Sequence, residues 1–330
     1  MTRNRLIVLA ARPRGVPTAD CFRLIESPVP EIAEGEALVR TTLMSVDPAM
    51  RPRMDDVPSY VAPFRIGEPL DGQAIGEVVA SRNPALPAGA IVNHRFGWRD
   101  YAVVSSATIV DTSIAPASAY LGLLGGKGLT AYAGVVNVAK LQAGETIYIS
   151  AAAGAVGSAA GGIAKLLGAT TIGSTGSAEN VAFLRDELRF DRAFQARDGA
   201  VAAALHDAAP GGIDVYFDNV GGETLAAAFD ALKPHGRVAA CGMISGYNDP
   251  SATIGNPFEI IRKRLRIEGF LVSDHAASRE AFLELVVPAL RDGRITAPET
   301  LVDGLENAPA ALISLFSRGA HRGKLLVRLP

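Results

Sequence analysis

From Thr146 to Val272, short apolar runs alternate with segments long enough to be helices, and this alternation constrains the fold more than any other feature of the chain. Strands are predicted at Thr146–Ser150, Thr170–Gly173, Arg192–Gln195, Val215–Asp218, Arg237–Cys241 and Leu265–Val272. Helices are predicted between them at Ala155–Leu167, Ser177–Leu188, Ala200–Ala209, Gly222–Leu232 and Pro257–Arg264. Strands joined by crossovers of that length pair in parallel. Thr146–Ser150 is nearly all apolar, as a strand covered on both faces should be. Six strands in two βαβαβ halves make a doubly wound sheet, which binds ligands outside the carboxyl ends of its strands.

The first 120 residues have a different character. Apolar or alternating runs at Arg5–Ala10, Ala37–Thr42, Ile75–Ala80, Ala90–Asn93 and Tyr101–Val104 are separated by turn residues such as Pro28–Pro30 and Pro87–Gly89. They predict a β-rich, barrel-like domain. A helix is expected at Ser278–Arg291, a helical run at Ala308–Ser317 and a strand at Lys324–Leu329. The pattern alone leaves the partner of that last strand open, a return to the N-terminal domain being one solution.

A length of 330 residues suits two domains. The net charge of −2 argues against a chain built to neutralise nucleic-acid phosphates or an acidic membrane surface. No run approaches the ~18 apolar residues of a membrane helix. The apolar run Leu6–Ala11 is too short for a secretory signal and is followed at once by Arg12 and Arg14. Two cysteines, Cys21 and Cys241, are too few for a disulfide framework or a four-Cys zinc site, and a cytoplasmic location is expected.

Ser150-Ala-Ala-Ala-Gly154-Ala-Val-Gly157-Ser158 lies where the first parallel strand meets its helix. A dinucleotide fingerprint needs a tight turn, a close approach to the pyrophosphate and a close helix–strand contact. Ala152 takes the first place, if its φ stays negative, and Gly154 and Gly157 take the others. Free N–H groups at the helix start then face the pyrophosphate. The second strand ends Ile172-Gly173-Ser174-Thr175-Gly176-Ser177, with no acid before Glu179. A carboxylate there would bind a ribose 2′-OH and repel a 2′-phosphate, so its absence leans toward NADP. Ser174 and Ser177 are candidate donors, with Arg185 or Arg197 as candidate charges.

Several strings resemble one family: Leu43-Met-Ser-Val-Asp47-Pro48-Ala-Met50-Arg51, Pro58-Ser-Tyr60-Val61, Gly128-Leu-Thr130-Ala-Tyr132, Val215-Tyr-Phe-Asp-Asn219-Val-Gly-Gly222, Cys241-Gly-Met-Ile-Ser-Gly-Tyr247-Asn248 and Gly323-Lys324, together with the glycine turn. They resemble the zinc-independent medium-chain reductases of the prostaglandin reductase, leukotriene hydroxydehydrogenase and alkenal double-bond reductase type, from about Arg5 to Arg328. The resemblance implies an α/β chain with a GroES-like β-rich catalytic domain (1–120 and 292–330) and a Rossmann NADP-binding domain (121–291). It implies reduction by NADPH of the C=C bond of α,β-unsaturated aldehydes or ketones, without metal, by a homodimer.

Carried over by position, Gly154, Ala155, Val156 and Gly157 would hold the pyrophosphate. Asn219 would follow the fourth strand. Cys241 to Tyr247, including Gly242 and Ser245, and Phe270, Leu271 and Val272 would pass the nicotinamide half. Asn180 stands where the family often has Lys, Ala196 where it has Tyr, and His321 where it has Asn. Ala49 replaces a Tyr that lines the substrate pocket, which Tyr60 is also expected to line.

Hydride addition to an enone leaves negative charge on the carbonyl oxygen, so a hydrogen-bond donor is needed there. Tyr247 is the candidate catalytic residue, since its phenol stays protonated at neutral pH. Its contact runs either to the substrate or through the cofactor ribose. A quinone reductase, or a nucleotide-binding protein with little catalysis, are the alternative functions. The five histidines show no metal-ligand spacing, and the zinc-dependent relatives would need a Cys near Ser45. Gly125-Gly126-Lys127-Gly128 lacks the first Gly and the Ser or Thr of a P-loop, and no Gly-x-Ser-x-Gly elbow is present. Arg262-Lys263-Arg264 with Arg266 is expected to be a solvated helix end, and Cys241 an unactivated thiol.

Overall fold

Arg3–Leu9 (β1) and Phe22–Pro28 (β2) form an antiparallel ribbon of their own. Ala37–Ser45 (β3), Ala74–Ser81 (β4), Ile91–His94 (β5), Tyr101–Val104 (β6) and Thr108–Ile109 (β7) follow it. Helix α1, Gly126–Tyr132, continues as a π-helical stretch over Ala133–Val138. The alternating region then runs Thr146–Ile149 (β8), Ala155–Leu166 (α2), Thr170–Thr175 (β9), Ala178–Asp186 (α3), Arg192–Gln195 (β10) and Val201–Ala208 (α4). It continues with Ile213–Asp218 (β11), Gly222–Ala231 (α5), Leu232–Ala240 (β12), Phe258–Lys263 (α6), Arg266–Gly269 (β13) and Arg279–Arg291 (α7). Glu299–Asp303 (β14), Ala308–Ser314 (α8) and Lys324–Arg328 (β15) close the chain. The structure, a computed structural model, describes residues 3–249, 255–317 and 319–330.

The chain divides into two compact units. The first comprises Met1–Leu121, Glu299–Ser317 and Lys324–Pro330. Its main sheet has the order β14-β15-β3-β4-β5-β7, with β6 also on β3, and every pairing except β14 with β15 is antiparallel. The strand whose partner the pattern left open, β15, lies against β3, with Leu326 opposite Ser45 and Arg328 opposite Leu43. The core of this unit gathers Ile7, Leu9, Met44, Met54, Leu70 and Trp98 with Leu312, Leu325 and Val327. Each large apolar side chain removed from water in this way contributes roughly 1.5–3 kcal/mol.

The second unit comprises Gly122–Pro298 and Arg318–Gly323. Its six strands are all parallel, in the order β10-β9-β8-β11-β12-β13. That is the Rossmann order, and its direction reverses between β8 and β11, so the binding crevice lies at the carboxyl ends of those strands. The chain is thus an α/β protein with a β-rich GroES-like part and a Rossmann part. Residues 292–298 and Arg318–Gly323, expected with the β-rich domain, group with the parallel sheet. Ile295 is buried there, filling the space that a side chain at Gly162 of α2 would otherwise occupy.

All six predicted parallel strands are present, and β12 begins at Leu232 rather than Arg237. Pro234 and Gly236 hide its start, and the pairing of β11 with β12 shifts register between Ile213 and Val215. The basic run lies at the end of α6 with Arg262, Arg264 and Arg266 exposed, as a solvated helix end should be, and Lys263 alone among these four departs from that expectation. Lys263 is buried, and its ammonium donates to the carbonyls of Phe229 and Asp230 at 2.8 and 2.7 Å and pairs with Glu259 at 3.4 Å. Arg266 donates to the carbonyl of Val138. Among the described residues no helix is long and apolar enough to cross a membrane.

Candidate active site

The glycine turn sits at the carboxyl end of β8. The positive φ that a tight turn needs falls on Ala151 (φ 47°), one residue before the position expected to carry the turn. A non-glycine residue there costs of order 1 kcal/mol. Ala152 keeps a negative φ, and its N–H donates to the carbonyl of Ser174 at 2.9 Å, tying the turn to β9. A β-carbon at Gly157 would overlap the backbone of Ala151 and Ala152, so this glycine sets the close approach of α2 to the turn. At Gly154 a β-carbon would meet only the Ala151 carbonyl, at 3.3 Å, and the turn is otherwise open on that side. No side chain caps α2, leaving the amides of Ala155, Val156 and Gly157 to an anion. This arrangement fits a diphosphate.

The loops after β11 and β12 are joined to one another and to β8. Cys241 and Gly242 donate their N–H groups to the Asp218 carbonyl at 2.9 and 3.0 Å, Ile244 to the Asn219 carbonyl at 3.3 Å and Ser245 to the Val220 carbonyl at 3.1 Å. The Ser245 hydroxyl also donates to Val220, at 2.5 Å. Beneath them the Asp218 carboxylate accepts from the Tyr216 hydroxyl at 2.7 Å and from the N–H groups of Val220 and Gly221 at 2.9 and 2.8 Å. Burial holds the Asp218 carboxyl above the usual carboxylate range, against these hydrogen bonds. Ser150 accepts the Asn219 N–H at its hydroxyl (3.0 Å) and the Asn219 side-chain amide at its carbonyl (2.7 Å).

The hydroxyl of Tyr247 is folded back over this arrangement. A β-carbon at Gly242 would lie 3.3 Å from it and 3.6 Å from the Asn219 carbonyl oxygen. Tyr247, Gly242 and Asn219 are therefore gathered at the carboxyl edge, at the topological switch point. Burial pushes the Cys241 thiol up to about 12, which keeps it protonated and inert. The Phe270 ring is engaged edge-on with Phe217 and His275, and Leu271 and Val272 beside it are half-buried.

On the other side of the turn two expectations change. Ser174 is buried, and its hydroxyl meets that of Tyr148 at 2.8 Å within the sheet, so it is not a side-chain donor to a cofactor. Asn180 is buried too, and its amide donates to the carbonyls of Gly319 and His321 at 3.3 and 3.2 Å. It fastens residues 319–323 beside the turn, where the Gly323 N–H donates to the Ala153 carbonyl at 2.7 Å. His321 is thereby brought to the same edge. Arg322 donates to Asn180 Oδ1 at 3.1 Å, stands 3.8 Å from Glu187 and lies over the Phe183 ring. At the end of β10, Arg197 donates to Gln195 Oε1 at 3.2 and 3.0 Å, and Gln195 donates to the Gly176 carbonyl at 3.0 Å.

Tyr60 and Ala49 belong to the β-rich unit and are exposed there, Tyr60 to 68%. Sequence reasoning gave Lys324 no role of its own. Its buried ammonium donates to the Val46 carbonyl at 2.8 Å and stands 3.3 Å from Asp47, which accepts from Ser45 at 2.7 Å. The Asp47 and Lys324 strings were legible, but not that β15 would bring them together.

Residues 5–111 match the family described as the N-terminal domain of oxidoreductase, and residues 155–287 the one described as zinc-binding dehydrogenase. Among the described residues no three His, Cys, Asp or Glu side chains form a group able to hold a metal ion. The chain is 39% identical to the 2-alkenal reductase (NADP(+)-dependent) of Nicotiana tabacum, covering 98% of this chain and 97% of that one. It is 36% identical to prostaglandin reductase 1 of Mus musculus over 95% of each. The crystal structure of CurA from Vibrio vulnificus in complex with NADPH superimposes with a TM-score of 0.93, at 37% identity and 99% coverage of both chains.

Proposed function

The chain belongs to the zinc-independent medium-chain dehydrogenases/reductases and is an NADP-dependent oxidoreductase, and on that premise we propose that it reduces the C=C bond of α,β-unsaturated aldehydes and ketones. The observation that carries this reading is the position of the Tyr247 hydroxyl over Gly242 and Asn219, at the edge where the glycine turn opens. The amides of Ala155 to Gly157 hold the pyrophosphate, and Asn219 with the 241–247 loop lines the nicotinamide half. When bound, NADPH supplies the hydride. Tyr247 donates a hydrogen bond toward the oxygen on which the enolate charge develops, a contact that strengthens as the charge forms. No acid or base of unusual pKa is required of it, because a phenol stays protonated at neutral pH.

The substrate class is tested by following NADPH oxidation with an alkenal, an aryl enone, a quinone and a saturated ketone. Oxidation with the first two and none with the ketone is expected. Turnover confined to the quinone, or none at all, would replace this reading with a quinone reductase or a nucleotide-binding protein. The enzyme acts as a homodimer in this proposal. In its support, β13 lies at the sheet edge, and Ile267, Ile261 and Phe258 are exposed on it and on neighbouring α6. Light scattering should give twice the mass of one chain, and a monomeric mass would remove the dimer.

A further inference from the structure

We propose that Arg197 is the residue that selects NADPH over NADH in this chain, its guanidinium receiving the 2′-phosphate while Gln195 holds it at the sheet edge. The inference rests on the NADPH reading above and adds to it the residue responsible. In a doubly wound sheet the adenosine ribose lies at the carboxyl end of the second strand, where a carboxylate selects the free 2′-hydroxyl and a nearby arginine accommodates the phosphate. Here that end is Ser174-Thr175-Gly176-Ser177, without a carboxylate. The neighbouring strand brings Gln195 opposite Thr175, and the next two residues emerge beside that end.

Gln195 works as a bracket. Its NH2 is fixed on the Gly176 carbonyl at 3.0 Å, and its oxygen accepts two N–H groups of Arg197 at 3.2 and 3.0 Å. A guanidinium carries five N–H donors in a rigid fork, so three remain for an incoming anion. Among the described residues no carboxylate pairs with Arg197, which is exposed. A phosphate carrying nearly two negative charges binds such a fork by two parallel hydrogen bonds.

Among the described residues the competing cations are committed or distant. Arg322 is spread over Asn180, the Glu179 carbonyl, Glu187 and the Phe183 ring. Arg185 lies eight residues beyond the Ser177 cap of α3, about 12 Å along the helix. Asn180 is occupied by the carbonyls of Gly319 and His321. Among the described candidates, the bracketed arginine alone is both held in place and open to an anion.

The test is calorimetric titration of the full-length protein with NADPH, NADH, 2′,5′-ADP and 5′-AMP, which reads binding without turnover. Arg197→Ala should weaken NADPH and 2′,5′-ADP at least tenfold while leaving NADH and 5′-AMP within twofold. Arg197→Lys should recover part of the loss, and Gln195→Ala should show a smaller loss in the same direction. Unchanged NADPH affinity in Arg197→Ala would overturn the assignment, as would an equal loss for NADH. A selective loss in Arg322→Ala, with none in Arg197→Ala, would move the role to Arg322 and overturn it equally. If the unmutated protein binds NADH as tightly as NADPH, the cofactor reading itself fails and this inference falls with it.

Discussion

At the scale of single residues, Tyr247 and His94 show how position decides what a polar group can do. Tyr247→Phe removes one hydroxyl that leans over Gly242 and leaves the ring. Turnover should fall tenfold or more, the equivalent of about 1.4 kcal/mol in the transition state. NADPH affinity should stay within twofold by separate titration, and unaltered turnover would remove the hydroxyl from the chemistry. His94 is buried in β5, with Nδ1 accepting the Phe96 N–H at 3.2 Å. Burial, aided by the charge of Arg99, lowers its pKa from 6.5 to about 4. Between those values the unfolded chain binds a proton that the native one refuses, so stability is lost as pH falls through that window. The loss amounts to about 3 kcal/mol by pH 4. Urea unfolding of the wild type should therefore steepen in its pH dependence below 6.5, and His94→Gln should flatten it.

Among elements, the loops after β11 and β12 behave as one piece because Asp218 serves both, through its carboxylate and through its carbonyl. Asp218→Ala would leave the N–H groups of Val220 and Gly221 without their acceptor, while the Tyr216 hydroxyl keeps Ser150 Oγ at 3.0 Å. Each such buried donor costs about 1–3 kcal/mol. The variant should lose roughly 3 kcal/mol by urea unfolding and bind NADPH about tenfold more weakly, with Asp218→Asn restoring most of both. The parallel strands were legible in the sequence because each is a short apolar run between helix-length segments. Strands β2, β7 and β14 were not, since Arg23 and Glu26 break the first and the others are short and carry no buried residue. Helix α1 and its π-helical continuation are hard to see in the sequence because glycine weakens a helical pattern, whereas Gly128 and Gly134 are there to admit Leu123 and Phe217. The same limit applies to the site. Gly154 and Gly157 could be read from spacing, but that Ser174 faces Tyr148 and that Asn180 holds residues 319–323 depends on strand faces and on distant chain.

Over the whole molecule, the path of the chain matters as much as the two sheets. It leaves the β-rich unit at Leu121, re-enters at Glu299, returns to the Rossmann unit for 318–323, and ends in β15. Lys324, 3% exposed, fastens that last strand to Val46 and Asp47. Lys324→Met would strand a largely buried carboxylate without its cation, which costs about 3–5 kcal/mol. Denaturation followed by tryptophan fluorescence should report this, because the single tryptophan, Trp98, lies fully buried in the core of the same unit.

The short excursion at 318–323 also governs how genes for such proteins can be recombined. A hybrid made with one junction near residue 122 would draw Asn180 from one parent and the carbonyls it grips at Gly319 and His321 from the same parent, but would mismatch β15 against β3. A junction added at 299 would restore that sheet and separate Asn180 from its tether instead. Viable chimeras therefore need every segment boundary respected, with the six-residue graft inherited alongside the nucleotide fold.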